Sequence, residues 1–283
     1  MCPKISIITP TYNSAQTLEK TILSVISQKL QVNRLEYIIV DGASTDKTRQ
    51  IINKYSANLD KIISESDRGA YDAMNKGIKV ATGDIIGIIN SDDWYNEEAL
   101  VTVEKAFIKN PHIDILYSPI DNYYQQEFVA TFVPGKLENL PIRFTLNHPS
   151  CFIRKSVYHE VGLYDINYKI VADYDLILRV FNAGKKFHYI KRSLAAYSLN
   201  GMSSSTNPID RVKLIRESWR ASTQGDKNKQ FSDQRFQAYS AWVFNEIFAL
   251  PARYFLKPPT ARKIKTVINK CIKKPVSESY GKW

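Results

Sequence analysis

The chain has 283 residues, 44% of them hydrophobic and 24% charged, enough material for one large globular domain or a domain with an extension. Its three cysteines, Cys2, Cys151 and Cys271, show no CxxC spacing, which speaks against a disulfide framework or a zinc site and for a reducing, cytoplasmic setting. The net charge of +11 is local: residues 1–210 hold 23 basic and 23 acidic residues, and 211–283 hold 16 and 5, so a neutral body 1–210 carries a basic appendage suited to an anionic surface.

The N-terminus runs directly into a strand pattern without a signal-peptide signature, and no apolar stretch of about 18 residues predicts a membrane span. Ile5–Thr9 predicts a short buried strand closed by Pro10. Ser14–Gln28 follows as a helix, with Leu18, Ile22, Val25 and Ile26 on one face and Ser14 or Thr17 as cap. Glu36–Val40 is a second strand ending in Asp41-Gly42, and Thr45–Tyr55 a second helix with Ser44 as N-cap. A strand at Lys61–Glu65, a helix at Tyr71–Ala81 and a strand at Asp84–Ile89 come next. A helix at Glu97–Lys109, stopped by Asn110-Pro111, and a strand at Ile113–Ser118 complete this half.

Such alternation predicts an α/β fold, a mostly parallel sheet with helices on both faces. Ligands in these sheets bind beyond the carboxyl ends of the strands. Polar clusters fall there four times: Thr9–Asn13, Asp41, Asp67-Arg68 and Asp92-Asp93. The last belongs to Asn90-Ser91-Asp92-Asp93, directly after Ile85-Ile86-Gly87-Ile88-Ile89. Adjacent carboxylates at the end of a buried strand repel one another, and Mg²⁺ or Mn²⁺ carrying a substrate's phosphates relieves the repulsion. A solvated surface pair is the plain alternative.

Beyond residue 118 the pattern changes. Tyr123–Val133 reads as a hairpin arm, Pro134–Leu146 as irregular, His148–Arg154 as a strand and Ser156–Val161 as a short helix. Ala172–Asn182 is an amphipathic helix ended by Ala183-Gly184, and Phe187–Ile190 and Leu194–Ser198 are closing strands. Residues 210–283 read as mostly helical, interrupted at Pro251 and Pro258-Pro259.

Six strings then occur in a telling order: Ser6-Ile7-Ile8-Thr9-Pro10-Thr11-Tyr12-Asn13, Ile39-Val40-Asp41-Gly42-Ala43-Ser44-Thr45-Asp46, Ser66-Asp67-Arg68-Gly69, Tyr71-Asp72-Ala73-Met74-Asn75-Lys76-Gly77, Asn90-Ser91-Asp92-Asp93 and Ala172-Asp173-Tyr174-Asp175. Over residues 4–205 the chain resembles inverting family 2 glycosyltransferases of the bacterial surface-polysaccharide type. The resemblance implies a Rossmann-like GT-A domain with a C-terminal helical extension. It implies transfer of a hexose or N-acetylhexosamine from a UDP-sugar to a saccharide acceptor, lipid-linked in this setting, with Mn²⁺ or Mg²⁺ and inversion at the anomeric carbon.

By this resemblance Asp41 accepts the uracil N3–H, against an Asx turn with Gly42. Pro10, Thr11 and Tyr12 match the loop around base and ribose, Tyr12 being otherwise loop-edge packing. Arg68 matches a basic residue near the nucleotide, the alternative being an ion pair with Asp67 or Glu65. Asp72 and Asn75 reach nucleotide or sugar hydroxyls, or form a solvated face, and Ser91 joins the nucleotide set. Asn90 replaces the first acid of the family's DxD triplet, which leaves Asp92 as direct metal ligand and Asp93 as second ligand or support.

Asp173 matches the general base that takes the acceptor hydroxyl proton, with a helix cap as the bland reading and Asp175 as the other candidate. Ala172 stands where an acid often precedes that base. His148, in His148-Pro149-Ser150, matches the acceptor or donor-sugar pocket, or is a satisfied loop residue. Asn200–Ser205 is either a loop closing over the diphosphate or a linker.

In the appendage, Phe236, Tyr239, Trp242, Val243, Phe244, Ile247, Phe248, Leu250, Tyr254 and Phe255 precede Lys257, Arg262, Lys263, Lys265, Lys270, Lys273 and Lys274. This is the composition of a segment lying peripherally on the inner face of the cytoplasmic membrane, or of a helix packing its aromatics on the domain. No nucleic-acid recognition motif accompanies the charge. A nucleotidyltransferase would carry a GxGTR-like loop after the first strand and a dehydrogenase GxGxxG, and neither is present. A nucleotide-sugar-binding scaffold with a degraded site is the non-enzymatic alternative.

Overall fold

Strand β1 (Ile5–Thr11) lies between β2 (Leu35–Asp41) and β4 (Ile85–Ile88) and runs parallel to both, with β3 (Lys61–Ser64) parallel beyond β2. On the other flank β9 (Phe152–Arg154) runs antiparallel between β4 and β6 (Ile115–Tyr117), and β10 (Phe187–Tyr189) pairs parallel with β6. The order is β10-β6-β9-β4-β1-β2-β3. These relations come from a computed structural model that describes residues 2–199, 207–226 and 229–255.

All seven residues of β1 are buried, because the strand is covered on both faces. Alternate residues feed two cores. Ile8, Ile38, Val40, Ile86 and Ile88 face α3 (Ala70–Val80), α5 (Lys155–Val161) and α6 (Ala172–Asn182). Ile5, Ile7, Tyr37, Ile39 and Ile85 face α1 (Leu18–Ile26), α2 (Thr48–Lys54) and α4 (Ala99–Lys109). A one-residue slip in any strand would exchange its two cores, so register is strongly specified.

A second sheet of order β5-β11-β7-β8 joins β5 (Trp94–Tyr95), β11 (Ala195–Ser198), β7 (Ile120–Tyr124) and β8 (Glu127–Phe132). The hairpin arm therefore starts earlier than Tyr123. Its turn is Gln125-Gln126, with φ of 49° and 70°, a left-handed pair made without the expected glycine or asparagine. The closing strands were read correctly, but β5 was not anticipated.

Several boundaries differ from the sequence reading. Pro10 does not close β1; it lies past Ile8, the last residue paired with β4, where its missing N–H costs no ladder bond. The first helix starts at Leu18 with Thr17 at the N-cap, neither Ser14 nor Thr17 giving a side-chain cap, and the second starts at Thr48, because Ser44 bonds elsewhere. Residues His148–Ser150 form a 3-10 turn before β9 rather than strand. Pro251 does not interrupt a helix, since α8 (Ser232–Phe255) passes through it.

The boundary at 210 falls inside α7 (Pro208–Gly225). Leu214 and Ala221 of α7 belong to the α3–α6 core, and Trp242 of α8 packs against it. Arg211 and Glu246 form a buried two-contact ion pair between the helices, and Arg235 pairs with Asp226 at 2.6 Å. The residues 200–206 and 256–283, including the loop, the lysine run and Cys271, lie outside the described residues.

Opposite the carboxyl edge, buried Glu36 accepts from Thr82 N at 2.7 Å, Thr82 Oγ1 at 2.8 Å and Ser6 Oγ, and pairs with Lys61 at 3.3 Å and Lys4 at 3.5 Å. Burial alone would raise its pKa, but the hydrogen bonds from Ser6 and Thr82, with the charge of Lys4, outweigh burial and bring it to about 2. The folded value lies below the unfolded one of about 4.3, so this carboxylate stabilises the fold above that pH and the contribution is lost as pH falls toward 2. Glu36→Gln should lower the urea-unfolding free energy at pH 7 by about 2 kcal/mol, after allowance for screening at the half-exposed lysines. The difference from wild type should shrink between pH 5 and pH 3; a gap independent of pH would contradict the account.

Candidate functional site

Because β2, β1 and β4 are parallel neighbours, the chain leaves all three at one edge. The resulting loops are tied together by hydrogen bonds. Gly42 N donates to Thr11 O at 2.9 Å, Asn13 N to Ser44 Oγ at 2.8 Å, and Thr45 N to Asn13 Oδ1 at 2.9 Å. Ser14 N donates to Thr48 Oγ1 at 2.7 Å, and its hydroxyl lies 2.8 Å from that of Ser91. Asn13 and Ala43 take positive φ of 48° and 61°, which curls both loops around the same space.

Asp41 is fully buried at the end of β2. Its Oδ1 accepts from Ser44 N at 3.1 Å and from the Ser44 hydroxyl, and Oδ2 from Ser64 Oγ at 2.7 Å. The turn-forming role is real, but it runs through Ser44 rather than Gly42. Ser44 N also reaches Oδ2, at 3.3 Å, so a ligand N–H would have to displace that longest contact to use one of the carboxylate's roughly four acceptor sites. Pro10 is buried, and Tyr12 presents its ring to solvent at 60% exposure. Thr11 is buried, and among the described residues its Oγ1 has no hydrogen-bond partner. That is an unusual state for a buried hydroxyl and fits one that awaits a ligand.

In the acid turn the two aspartates diverge. Asp93 is fully buried, with Oδ1 accepting from Ser198 N at 2.9 Å and Oδ2 from Asn90 Nδ2 at 3.1 Å. Its carbonyl accepts from Thr21 Oγ1 at 2.6 Å, which ties α1 to the turn. Asp92 is half-buried, and no described group outside its own residue donates to it. Burial raises the pKa of Asp92; burial, and then the charge of Asp92, push that of Asp93 well up. Among the described residues no Lys or Arg pairs with either and no group of three His, Cys, Asp or Glu could hold a metal. Of the described residues in this turn Asp92 alone is open to a cation, which would therefore need a ligand's phosphates for its other contacts, while Asp93 and Asn90 brace the turn.

α3 starts beside this edge. Arg68 is 72% exposed and lies 3.6 Å from Asp72, so its partner is neither Asp67 nor Glu65. Asp72 also accepts the backbone N–H of Arg68 at 3.1 Å. Asn75 does not face a ligand: its amide bonds Tyr164 N at 3.0 Å and Tyr164 O at 2.8 Å. The 3-10 turn holding buried His148 comes to the same edge, because antiparallel β9 begins there, with Phe152 opposite Gly87 of β4. His148 Nε2 lies 2.6 Å from the Tyr164 hydroxyl; burial lowers its pKa and the charge of Asp173 opposes.

Asp173 is the second residue of α6. Its Oδ1 accepts from Tyr174 N at 2.9 Å and lies 3.4 Å from the Tyr71 hydroxyl, and it caps nothing further, the N-cap being Val171. Asp175 is bound 2.9 Å from Arg179, whose guanidinium also donates to the carbonyls of Val161 and Leu163. Burial raises the pKa of Asp175 and Arg179 opposes the rise. Asp175 is therefore paired to a cation, and among the described residues Asp173 is not.

Glycosyl transferase family 2 matches residues 6–161. The PGL/p-HBAD biosynthesis glycosyltransferase of Mycobacterium tuberculosis is 30% identical over 209 residues, 72% of this chain and 80% of the relative. The chain belongs to glycosyltransferase family 2. Poly(ribitol-phosphate) beta-N-acetylglucosaminyltransferase TarS of Staphylococcus aureus is 34% identical over 169 residues, 57% of this chain and 29% of TarS. By structure, TarS 1-349 in complex with UDP-GlcNAc superposes with a TM-score of 0.62 at 21% identity, over 81% of this chain and 73% of that one. Mannosyltransferase PcManGT from Pyrobaculum calidifontis, in complex with GDP-Man and Mn²⁺, gives 0.65 at 16% identity, over 96% and 81%. Both likenesses show the GT-A fold.

In this glycosyltransferase the six sequence strings meet along one sheet edge. What the sequence reading missed is the bracing: Ser14, Ser44 and Ser64 in the loops, Ser198 behind Asp93, and Tyr71 and Tyr164 beside Asp173. Tyr71 lay inside a quoted string, whereas Ser198 has no local signal.

Proposed function

We propose that this family 2 glycosyltransferase transfers a hexose or N-acetylhexosamine from a UDP-sugar to a saccharide acceptor with inversion, with Asp173 as general base. The observation that carries the reading is the contrast on α6: Asp175 is held by Arg179, while among the described residues Asp173 has no cationic partner and nothing donates to its Oδ2. In the reaction the acceptor O–H bond breaks and its proton goes to Asp173. The acceptor oxygen bonds the anomeric carbon from the face opposite the diphosphate, the bond from that carbon to the diphosphate oxygen breaks, and UDP departs with its electron pair.

Pro10, Thr11, Tyr12, Asp41 and Ser91 would surround the nucleoside, and Arg68, swinging from Asp72, would meet a phosphate. Mn²⁺ or Mg²⁺, held by Asp92, would supply charge neutralisation for the departing diphosphate. The names of TarS and of the complex with UDP-GlcNAc support a UDP donor, and PcManGT supports Mn²⁺. UDP release from a panel of UDP-sugars, with saccharide acceptors and Mn²⁺, tests the proposal. Binding of every donor without release by any acceptor would favour the scaffold alternative.

The acceptor is lipid-linked in this reading, and the enzyme sits peripherally on the inner face of the cytoplasmic membrane. No helix of the described residues is long and apolar enough to cross a membrane. The appendage's apolar residues divide: Tyr239 is buried and Trp242 packs on the core, whereas Phe236 and Ile247 are 66% and 59% exposed. Exposed apolar residues within the segment that holds the entire charge excess suit an anionic bilayer. The double variant Phe236→Glu/Ile247→Glu should abolish flotation with anionic liposomes and keep the wild-type melting temperature; undiminished flotation would remove the membrane claim.

A further inference from the structure

α3 is fastened to the segment that carries Asp173 at two points one turn apart. Asn75 bonds both backbone groups of Tyr164, and Tyr71, four residues earlier on the same helix face, donates its hydroxyl to Ile170 O at 2.7 Å. The ring of Tyr71 stacks on that of Tyr164 with centroids 5.6 Å apart and planes 26° apart, and Tyr164 is held in turn by His148. Burial, and next the charge of Asp173, keep the Tyr71 phenol protonated, so it remains an O–H donor. Its oxygen lies 3.4 Å from Asp173 Oδ1, the oxygen that already accepts from Tyr174 N. Among the described residues nothing donates to Oδ2.

We propose that Tyr71 is a positioning residue for the transfer reaction: its single hydroxyl proton, given mainly to Ile170 O and shared over the longer 3.4 Å contact with Oδ1, fixes the Asp173 carboxylate so that Oδ2 takes the acceptor's proton. An aspartate at a ligand-facing helix start has several side-chain rotamers open to it, and a displacement of about 1 Å can cost about 10²-fold in rate. The Tyr71 hydroxyl is anchored on Ile170 O, which belongs to the turn entering α6, so hydroxyl and carboxylate move as one unit. Tyr71 also adjoins Asp72, the partner of Arg68, which places the nucleotide side and the base side of the site on one helix turn.

The proposal rests on Asp173 being the base, and the test separates the two. In the full-length protein, Tyr71→Phe keeps the ring stacked on Tyr164 and removes only the hydroxyl. It should lower kcat at least about tenfold, with UDP affinity by calorimetry within about twofold of wild type. In an Asp173→Asn background the same change should lower kcat less than about twofold, because its effect passes through the carboxylate. Equal losses in both backgrounds, or an unchanged kcat, would overturn the role of Tyr71; a near-normal rate for Asp173→Asn alone would instead overturn the base. Should Tyr71→Phe fail to bind UDP, 3-fluorotyrosine placed at 71 alone keeps the shape and sharpens the donor. It should slow kcat about threefold in the wild-type background and leave Asp173→Asn unaltered, and no effect in the wild-type background would overturn the proposal.

Discussion

Asp173→Asn should bind UDP and the donor sugar as wild type does while transferring at least about 10²-fold more slowly, the scale of general-base removal. The amide keeps the volume of the side chain, and Oδ1 can still accept from Tyr174 N, so the helix start should survive. What disappears is an oxygen able to take a proton. The matching Asp175→Asn variant separates the two readings of α6. It leaves the Arg179 guanidinium without its carboxylate, although the Val161 and Leu163 carbonyls still hold it. Its expected effect is therefore a lower melting temperature, with the rate of the folded fraction near wild type. Single-turnover rates with donor titrations in each variant check both statements; reversed outcomes would move the base to Asp175.

Removing the metal-facing carboxylate should produce the second large effect. Asp92→Ala should weaken donor binding measured with Mn²⁺ at least about tenfold and leave the weaker metal-free binding almost unchanged. Asp92 accepts from no other described residue, so its loss should leave the fold intact. Asp93→Ala should behave differently, because Asp93 bridges Asn90 and the end of β11. Its variant should melt earlier in the absence of any ligand, since the buried hydrogen bonds of Asp93 with Ser198 N and Asn90 Nδ2 would be lost. Calorimetry with and without Mn²⁺, beside apo thermal melts, distinguishes them; equal loss of apo stability in both variants would contradict the division of roles.

Much of the architecture was legible in the sequence because period and burial agreed. Ala172–Asn182 carries a 3.6-residue apolar pattern between clear stops, and the helix has those bounds. The runs at 7–8, 37–40 and 85–89 carry apolar residues on both faces, as buried parallel strands do. The misses have a common origin in long-range partners. Pro10 and Pro251 look like local breakers, yet the end of β4 leaves no bond for Pro10 to forfeit, and α8 continues past Pro251. Ser44 looks like a cap until Asp41 claims its hydroxyl.

Within the site, the carboxylates were visible and their division of labour was not. Asp93 turns inward toward Ser198, a partner 105 residues away that no local pattern announces. Asp175 is different: Arg179 stands four residues on, a spacing that already pairs charges on a helix and would have marked it as structural. Asn75 was misplaced for want of Tyr164, which lies 89 residues downstream.

The reversed direction of β9 has a consequence for how such enzymes diversify. Since that strand starts, rather than ends, at the ligand edge, the turn at 148–150 is delivered by the irregular stretch before it and anchored by Ser150 on Ser118 O at 2.8 Å. The nucleotide loops hang instead from β1, β2 and β4, and are laced to one another. Under the proposed assignment of these loops, mutation can thus remodel a sugar-facing wall through residues 134–147 while the grip on the carrier nucleotide is inherited whole.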